Sequence, residues 1–160
     1  MRSPAHLFKY ILLILMFASC SSESTEEEIQ LQQLPSANTV ESEILQLVNQ
    51  HRQSIGKSVL TKNNLAEELA RDHTLYMISQ NDISHEYFDQ RAEQLQREAN
   101  AYGVGENVAA GQPSAQSVMT AWLNSSGHKA NIEGNYTHIG ISAIKNDQGV
   151  YYYTQLFLRK

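Results

Sequence analysis

The spacing of apolar residues changes along the chain, and this change most constrains its fold. In the first part, apolar residues recur at helical spacing, as Ile44, Leu47 and Val48 do. The last part holds two β-rich runs, residues 136–144 (YTHIGISAI) and 150–158 (VYYYTQLFL), joined by the polar segment KNDQG. Such a pair predicts a β-hairpin. Helices followed by a hairpin predict an α+β domain with helices packed on an antiparallel sheet.

The helices can be placed by their caps and stripes. Asn38, with Glu41 three residues later, is a candidate cap for the first helix, and Asn64 for the second. A charged segment, residues 88–100, predicts a surface helix, which Gly103 and Gly105 then break. Residues 114–124 predict a third strong helix with Trp122 turned inward. Two histidines, His51 and His73, fall on apolar helix stripes and are expected in the core or at its boundary, while His138 is expected in a strand.

The N-terminus has the pattern of a bacterial lipoprotein signal. Arg2 and Lys9 precede eight apolar residues, 10–17 (YILLILMF), and Cys20 follows directly. The run is shorter than the ~20 residues that a membrane-spanning helix needs, and it suits a secretory signal peptide. Residues 1–19 are therefore predicted to be cleaved and Cys20 to be lipidated. An ordinary signal peptide with an incidental cysteine is the alternative.

Composition then limits the class of partner. Residues 20–37 are polar and acidic and predict a tether, whereas residues 38–160 have the length of one domain. Removing Arg2 and Lys9 with the signal would take the net charge from −5 to −7. A chain this acidic has no electrostatic basis for binding nucleic acid or anionic lipid. Membrane attachment is therefore expected through the lipid on Cys20, in the cell envelope outside the cytoplasm, and nothing in the sequence indicates an oligomer.

Two imidazoles and one carboxylate are the candidate chemical groups. His85 lies 21 residues before Glu106, and His128 follows on a later segment, next to Ser125 and Ser126. Brought together by a fold, such residues can bind a metal or move protons. They can equally form a hydrogen-bonded cluster that ties loops together, because a buried carboxylate needs donors.

Five sequence blocks carry a resemblance to a known family. They are Ser84-His85, residues 105–109 (GENVA), Trp122 with residues 125–132 (SSGHKANI), residues 136–141 (YTHIGI) and residues 153–157 (YTQLF). In this order and spacing they resemble the CAP superfamily, which groups cysteine-rich secretory proteins, antigen 5 and pathogenesis-related proteins and has bacterial members. The resemblance covers about 120 residues and implies an α-β-α sandwich.

The resemblance also implies a cavity lined by histidines and acids. His85 matches the first histidine of the family, Glu106 the first acid and His128 the second histidine. The second acid, normally three residues after the tryptophan, is Ser125 in this chain. Gln155 matches a family position near the cavity. The predicted binding cleft thus comprises His85, Glu106, Ser125, His128 and Gln155.

Several chemistries remain open for this cleft. His85, Glu106 and His128 are a possible Zn²⁺ ligand set with an open position, although no HExxH spacing fixes two of them on one helix. Serine, His128 and Glu106 are a triad in composition only, because the segment lacks the GxSxG pattern.

Binding is preferred to turnover among these readings. The predicted function is that of a lipid-anchored envelope protein that binds a lipid, a cell-wall fragment or a protein. A metal-dependent or serine-type hydrolase acting on peptide or cell-wall substrates is the alternative, and a purely structural cluster is a third reading. The run Tyr151-Tyr152-Tyr153 is expected to face the core and the sheet, with one face available as an aromatic surface for a glycan or lipid.

Overall fold

The computed structural model describes residues 39–160. The elements are, in chain order, α1 (Val40–Ser54), β1 (Thr61–Lys62), α2 (Asn64–Gln80), α3 (Phe88–Ala99), β2 (Gly103–Ala110), α4 (Ala115–Asn124), α5 (Ser126–Ile132), β3 (His138–Lys145) and β4 (Tyr151–Arg159). The predicted signal peptide, the lipidated Cys20 and the tether lie outside the described residues. Within those residues, no helix is both long and apolar enough to cross a membrane.

The sheet separates two layers of helices. Helices α1, α4 and α5 pack on one face, where Trp122, Tyr153 and Phe157 belong to a fully buried cluster. Helices α2 and α3 cover the other face, where Leu95 and Leu156 lie in a second buried cluster. This arrangement is the predicted α-β-α sandwich, and the prediction is confirmed. Its stability is expected to rest mainly on these two buried apolar layers.

The sheet has four strands in the order β1-β3-β4-β2. The predicted hairpin is confirmed as β3 and β4, which pair antiparallel. The short strand β1 pairs parallel with β3, so the sheet is mixed rather than purely antiparallel. Strand β2 pairs antiparallel with β4 and leaves its other edge unpaired in the sheet.

The sequence prediction missed β2. Gly103 and Gly105 indicated only the end of a helix, and neither glycine nor the Glu106-Asn107 pair favours a strand. The strand forms nevertheless because all eight of its residues are in register with β4. Glu106 therefore lies on a strand.

Polar side chains fix where two of the helices begin. Helix α1 is capped by Thr39, whose hydroxyl accepts a hydrogen bond from the backbone N–H of Ser42, and α2 is capped in the same way by Asn63. Each observed cap lies one residue from the predicted one, within the ordinary uncertainty of helix ends. His51 and His73 are half-buried and buried respectively, as their apolar stripes predicted.

Candidate functional site

The centre of the site is a buried ion pair. Glu106 projects from β2 toward α3, where Arg91 meets it with two nitrogens: Nε lies 2.9 Å from Oε2, and Nη2 lies 2.9 Å from Oε1. The Glu106 side chain is only 2% exposed and that of Arg91 9% exposed. Such a fork-to-carboxylate pair is the strongest arrangement available to these two groups. Arg91 was not among the residues that the sequence singled out.

His85 joins this pair from the loop between α2 and α3. Its Nδ1 lies 2.8 Å from Oε1 of Glu106. Because an ionised carboxylate can only accept, Nδ1 must carry the proton and donate it. The His85 side chain is 55% exposed, so Nε2 is the ring nitrogen that remains for a ligand. The structure thus brings His85 and Glu106 together.

A second histidine supports the loop from below. His73 of α2 is buried, and its Nε2 lies 2.7 Å from the carbonyl oxygen of Ser84, the residue before His85. The same Nε2 is 4.0 Å from Oε1 of Glu106. Burial lowers the pKa of His73, more than the hydrogen bond to Ser84 raises it. His73 therefore donates as a neutral imidazole and fixes the backbone that presents His85.

Helix α5, which carries His128, is joined to β2 through Asn107. Successive side chains of β2 point to opposite faces, so Asn107 faces α5 while Glu106 faces α3. Asn107 donates from Nδ2 to the carbonyl oxygen of His128, at 3.2 Å, and to Oε1 of Gln155, at 3.1 Å. Asn131 in turn donates to Oδ1 of Asn107 at 2.9 Å and to the backbone oxygen of Glu106 at 3.0 Å. This amide network attaches α5 to the edge strand.

The predicted cleft residues lie on several different elements. Gln155 is fully buried and shares the Asn107 face, away from the carboxylate of Glu106. Ser125 is half-buried at the junction of α4 and α5 and makes no side-chain capping bond to α5. The imidazole of His128 is half-buried. Its pKa is lowered by burial and, to a smaller extent, by the charge that His85 can carry. Only His85 and Glu106 are in direct contact.

The predicted metal ligands His85, Glu106 and His128 do not form a cluster of ligands among the described residues. Among residues 39–160, no group of three or more histidine, cysteine, aspartate or glutamate side chains is placed to hold a metal ion. The carboxylate of Glu106 is already occupied by Arg91 and by the Nδ1 proton of His85, and neither can share it with a cation without rearranging. The predicted ligand set His85, Glu106 and His128 thus has no support in the geometry and stays a prediction.

An open cavity lies beside His85. Its volume is about 480 Å³, and it is lined by His85, Tyr87, Phe88, Asp89 and Gln90. The ring of Tyr87 is met edge-on by Tyr76, with ring centroids 5.6 Å apart and planes at 73°. The hydroxyl of Tyr76 donates to the Glu86 carboxylate, and this bond is the main cause that raises the pKa of Tyr76 to about 12.

Aromatic surface therefore occurs at a different place from the one expected. Tyr152 and Tyr153 of the C-terminal run are buried, and Tyr151 is half-buried against Tyr153. The exposed aromatic ring beside the site is Tyr87, which is 51% exposed. Nothing in the period of the sequence marks Tyr87, because it lies in a turn. The one signal that could have indicated Tyr87 is its position in the sequence, two residues after His85.

The chain belongs to the cysteine-rich secretory protein family, CAP, whose sequence profile matches residues 45–157. It is 30% identical over 129 residues to the Bacillus subtilis protein YkwD, covering 78% of this chain and 49% of YkwD. It is also 30% identical over 126 residues to the Bacillus subtilis membrane protein YlbC, covering 76% of this chain and 35% of that protein. The chain thus spans less than half the length of these relatives.

Solved structures show the same fold. An extracellular protein of Bacillus anthracis that contains an SCP domain superposes with a TM-score of 0.66 at 28% identity, over 77% of this chain and 41% of that one. An outer surface protein from Borrelia burgdorferi gives a TM-score of 0.66 at 20% identity, over 73% of this chain and 90% of the other. At 20% identity the second likeness concerns the fold alone.

Proposed function

We propose that this CAP-family protein is an extracytoplasmic binding protein of the cell envelope, attached through a lipid on Cys20, that holds its ligand against the exposed imidazole of His85. The ligand would be an envelope lipid, a cell-wall fragment or a protein. The name of the Bacillus anthracis relative, an extracellular protein, supports the location. The signal pattern at residues 1–20 supports the anchor.

The proposal rests on one observation: protein donors already occupy both oxygens of the Glu106 carboxylate, which is therefore closed to a ligand. It is 2% exposed and bonded by Arg91 and His85, so it can neither ligate a metal nor take a proton from a substrate without breaking a buried pair. What remains open to a ligand is Nε2 of His85, beside a cavity of about 480 Å³. The ion pair therefore holds a recognition group in one tautomer and one orientation.

The hydrolase alternative has one observation in its favour. A carboxylate that orients an imidazole through Nδ1 is the base-and-orienter half of a catalytic triad, and Glu106 and His85 have that geometry at 2.8 Å. The serine half is not joined to it. Ser125 and Ser126 lie at the start of α5, and no hydrogen bond among the described residues links either hydroxyl to a histidine. Loss of a measured hydrolysis rate in Ser125→Ala would restore this alternative.

The test compares His85 with His51, a second histidine that pairs with a glutamate. His51 lies 2.8 Å from Glu133, on the half-buried side of α1, and resembles the His85–Glu106 pair in distance but not in surroundings. The full chain is titrated with vesicles of bacterial phospholipid and, separately, with soluble muropeptides, while ¹⁵N NMR follows both imidazoles. We expect one probe to shift Nε2 of His85 and leave His51 unchanged, and His85→Ala to abolish binding.

Two results would oppose the proposal. If a probe binds equally well to His85→Ala and to wild type, the site is elsewhere. If neither phospholipid vesicles nor muropeptides perturb His85, a lipid or cell-wall ligand at this imidazole is excluded, and only a protein ligand would be left.

A further inference from the structure

Aromatic and acidic side chains line the cavity beside His85. Tyr87 and Phe88 offer aromatic rings, Asp89 offers a carboxylate and His85 an imidazole. The carboxylate of Glu86, next in the chain to His85, accepts a hydrogen bond from the hydroxyl of Tyr76. Among residues 39–160, no lysine or arginine lines the cavity.

The nearest positive groups are already compensated. Arg91 places its Nε and Nη2 on Glu106 and its Nη1 on the backbone oxygen of Glu86, at 2.8 Å. The amino end of α3, which carries partial positive charge, has Asp89 in its first turn. Nδ1 of His85 donates to Glu106, so Nε2 is the nitrogen of this ring that is left for a ligand. The cavity thus presents aromatic rings and the carboxylate of Asp89, and these groups attract a cation.

The backbone at Tyr87 adds an independent observation. Tyr87 has φ 59°, in the left-handed region, and it occupies the N-cap of α3 without making a side-chain capping bond. Both features favour asparagine, aspartate or glycine over an aromatic residue. Local stability therefore does not explain a tyrosine here, and strained positions of this kind often belong to a binding site. What the tyrosine contributes at this position is its aromatic ring, which packs edge-to-face with the ring of Tyr76.

We propose that this cavity binds an organic ammonium group, with Tyr87 and Phe88 supplying cation–π contacts and Asp89 the opposite charge. The inference rests on the proposed function, because it names the ligand chemistry of the same site. A quaternary ammonium from a choline-type headgroup and a primary amine from an ethanolamine headgroup or a peptide share this chemistry. The acidity of the whole chain, with a net charge of −5, favours the encounter with a cation.

The test compares a cation with its neutral isostere. The full chain, held in a maltoside detergent that has no amine, is titrated with choline, ethanolamine and 3,3-dimethylbutan-1-ol, and binding is read by ligand-observed NMR. We expect saturable binding of choline or ethanolamine, with the neutral alcohol weaker by about fivefold or more, as cation–π and ionic contacts imply. The preferred amine then distinguishes a methylated from a primary source.

Matched variants test which side chains contribute to the affinity for the amine. Tyr87→Asn removes the ring and suits the backbone, so the fold should persist while amine affinity falls about fivefold. Asp89→Asn should weaken amine binding by a similar factor, whereas Glu93→Gln, an exposed acid on the same helix, should not. Tyr102→Ala removes an exposed tyrosine that stacks on Arg159 instead, 5.0 Å from its ring centroid, and should leave binding unchanged.

The outcomes separate this inference from the proposed function. Equal affinity for choline and its neutral isostere, no binding of either amine, or an equal loss in Tyr102→Ala would overturn the ammonium site. If His85 still responds to vesicles or muropeptides in those cases, the proposed function stands and only the ligand chemistry is wrong. If His85 responds to no probe and amines do not bind, the ammonium site is wrong and the proposed function is reduced to a protein ligand.

Discussion

Replacing Arg91 by methionine should unfold the site by leaving Glu106 as a buried, unpaired carboxylate. Methionine keeps much of the arginine stem's volume but none of its donors. The Glu106 side chain is 2% exposed, so water cannot replace the lost guanidinium without opening the fold. His85 remains as one donor to Oε1.

The magnitude follows from the burial of both partners. Breaking a buried ion pair by removing one member costs about 3–5 kcal/mol. For a domain of this size each kcal/mol lowers Tm by roughly 3–6 °C, so the variant should melt at least about 10 °C below wild type. Glu106→Gln should cost less, because an amide oxygen still accepts from Arg91. The double variant should be more stable than Arg91→Met alone, since no buried charge is then left.

The assay is urea unfolding of the four proteins in this cycle, followed by circular dichroism. Arg97→Met is the matched control: Arg97 lies on the same helix and pairs with Glu98 at 3.4 Å on an exposed surface, where such pairs contribute about 0–1 kcal/mol. If Arg91→Met costs no more than Arg97→Met, Glu106 is not a closed carboxylate and the argument for binding rather than turnover loses its basis.

Three further predictions concern the framework of the site. Gly140→Ala should destabilise the fold strongly or prevent folding, because the new Cβ would overlap the backbone of Ala66 in α2. Gly127→Ala in α5 is the control: the space around Gly127 is open, so the change should be neutral or stabilise the fold by about 0.5–1 kcal/mol. Thermal melts of both variants check this. Arg52→Met should cost about 2–4 kcal/mol in urea unfolding, since the buried guanidinium donates to the carbonyl oxygens of residues 58, 132 and 134 and methionine would leave them without donors. The pKa of His73 is lowered in the folded state, so the unfolded chain binds more protons as pH falls below about 6.5, and the free energy of unfolding should drop there. A His73→Gln variant should show a flatter dependence of this free energy on pH between about pH 7 and 5. An unchanged slope would contradict a buried, neutral His73.

The sequence predicted the architecture well because apolar periodicity reports directly which faces are buried. The stripes of α1 and α2 each have one buried face. Strand β4 is buried on both faces because helices cover both sides of the sheet, and the sandwich follows from pairing these faces. Strand β2 was missed because its signal is not periodic. Its residues 105–109 are all buried, and two of them, Glu106 and Asn107, are polar groups whose partners lie on other elements.

The site was predicted less completely for a related reason. The resemblance indicated His85, Glu106 and His128, but it did not indicate Arg91, which saturates the carboxylate. Residue spacing shows which groups can converge. It does not show which charged groups are already paired with an opposite charge in the folded protein. Tyr87 was missed because a turn residue has no periodic neighbours, and its left-handed backbone appears only in three dimensions.

The tautomer and metal response of His85 test the central claim most directly. The full chain is labelled with ¹⁵N in its histidines, and the ring nitrogens are recorded before and after addition of Zn²⁺. The structure predicts that Nδ1 of His85 carries the proton, donated to Glu106, and that Zn²⁺ produces no saturable shift shared by His85 and His128. A proton on Nε2 instead, or a saturable Zn²⁺ shift of both rings that Glu106→Gln abolishes, would show an open carboxylate and a metal site, and would contradict the binding account.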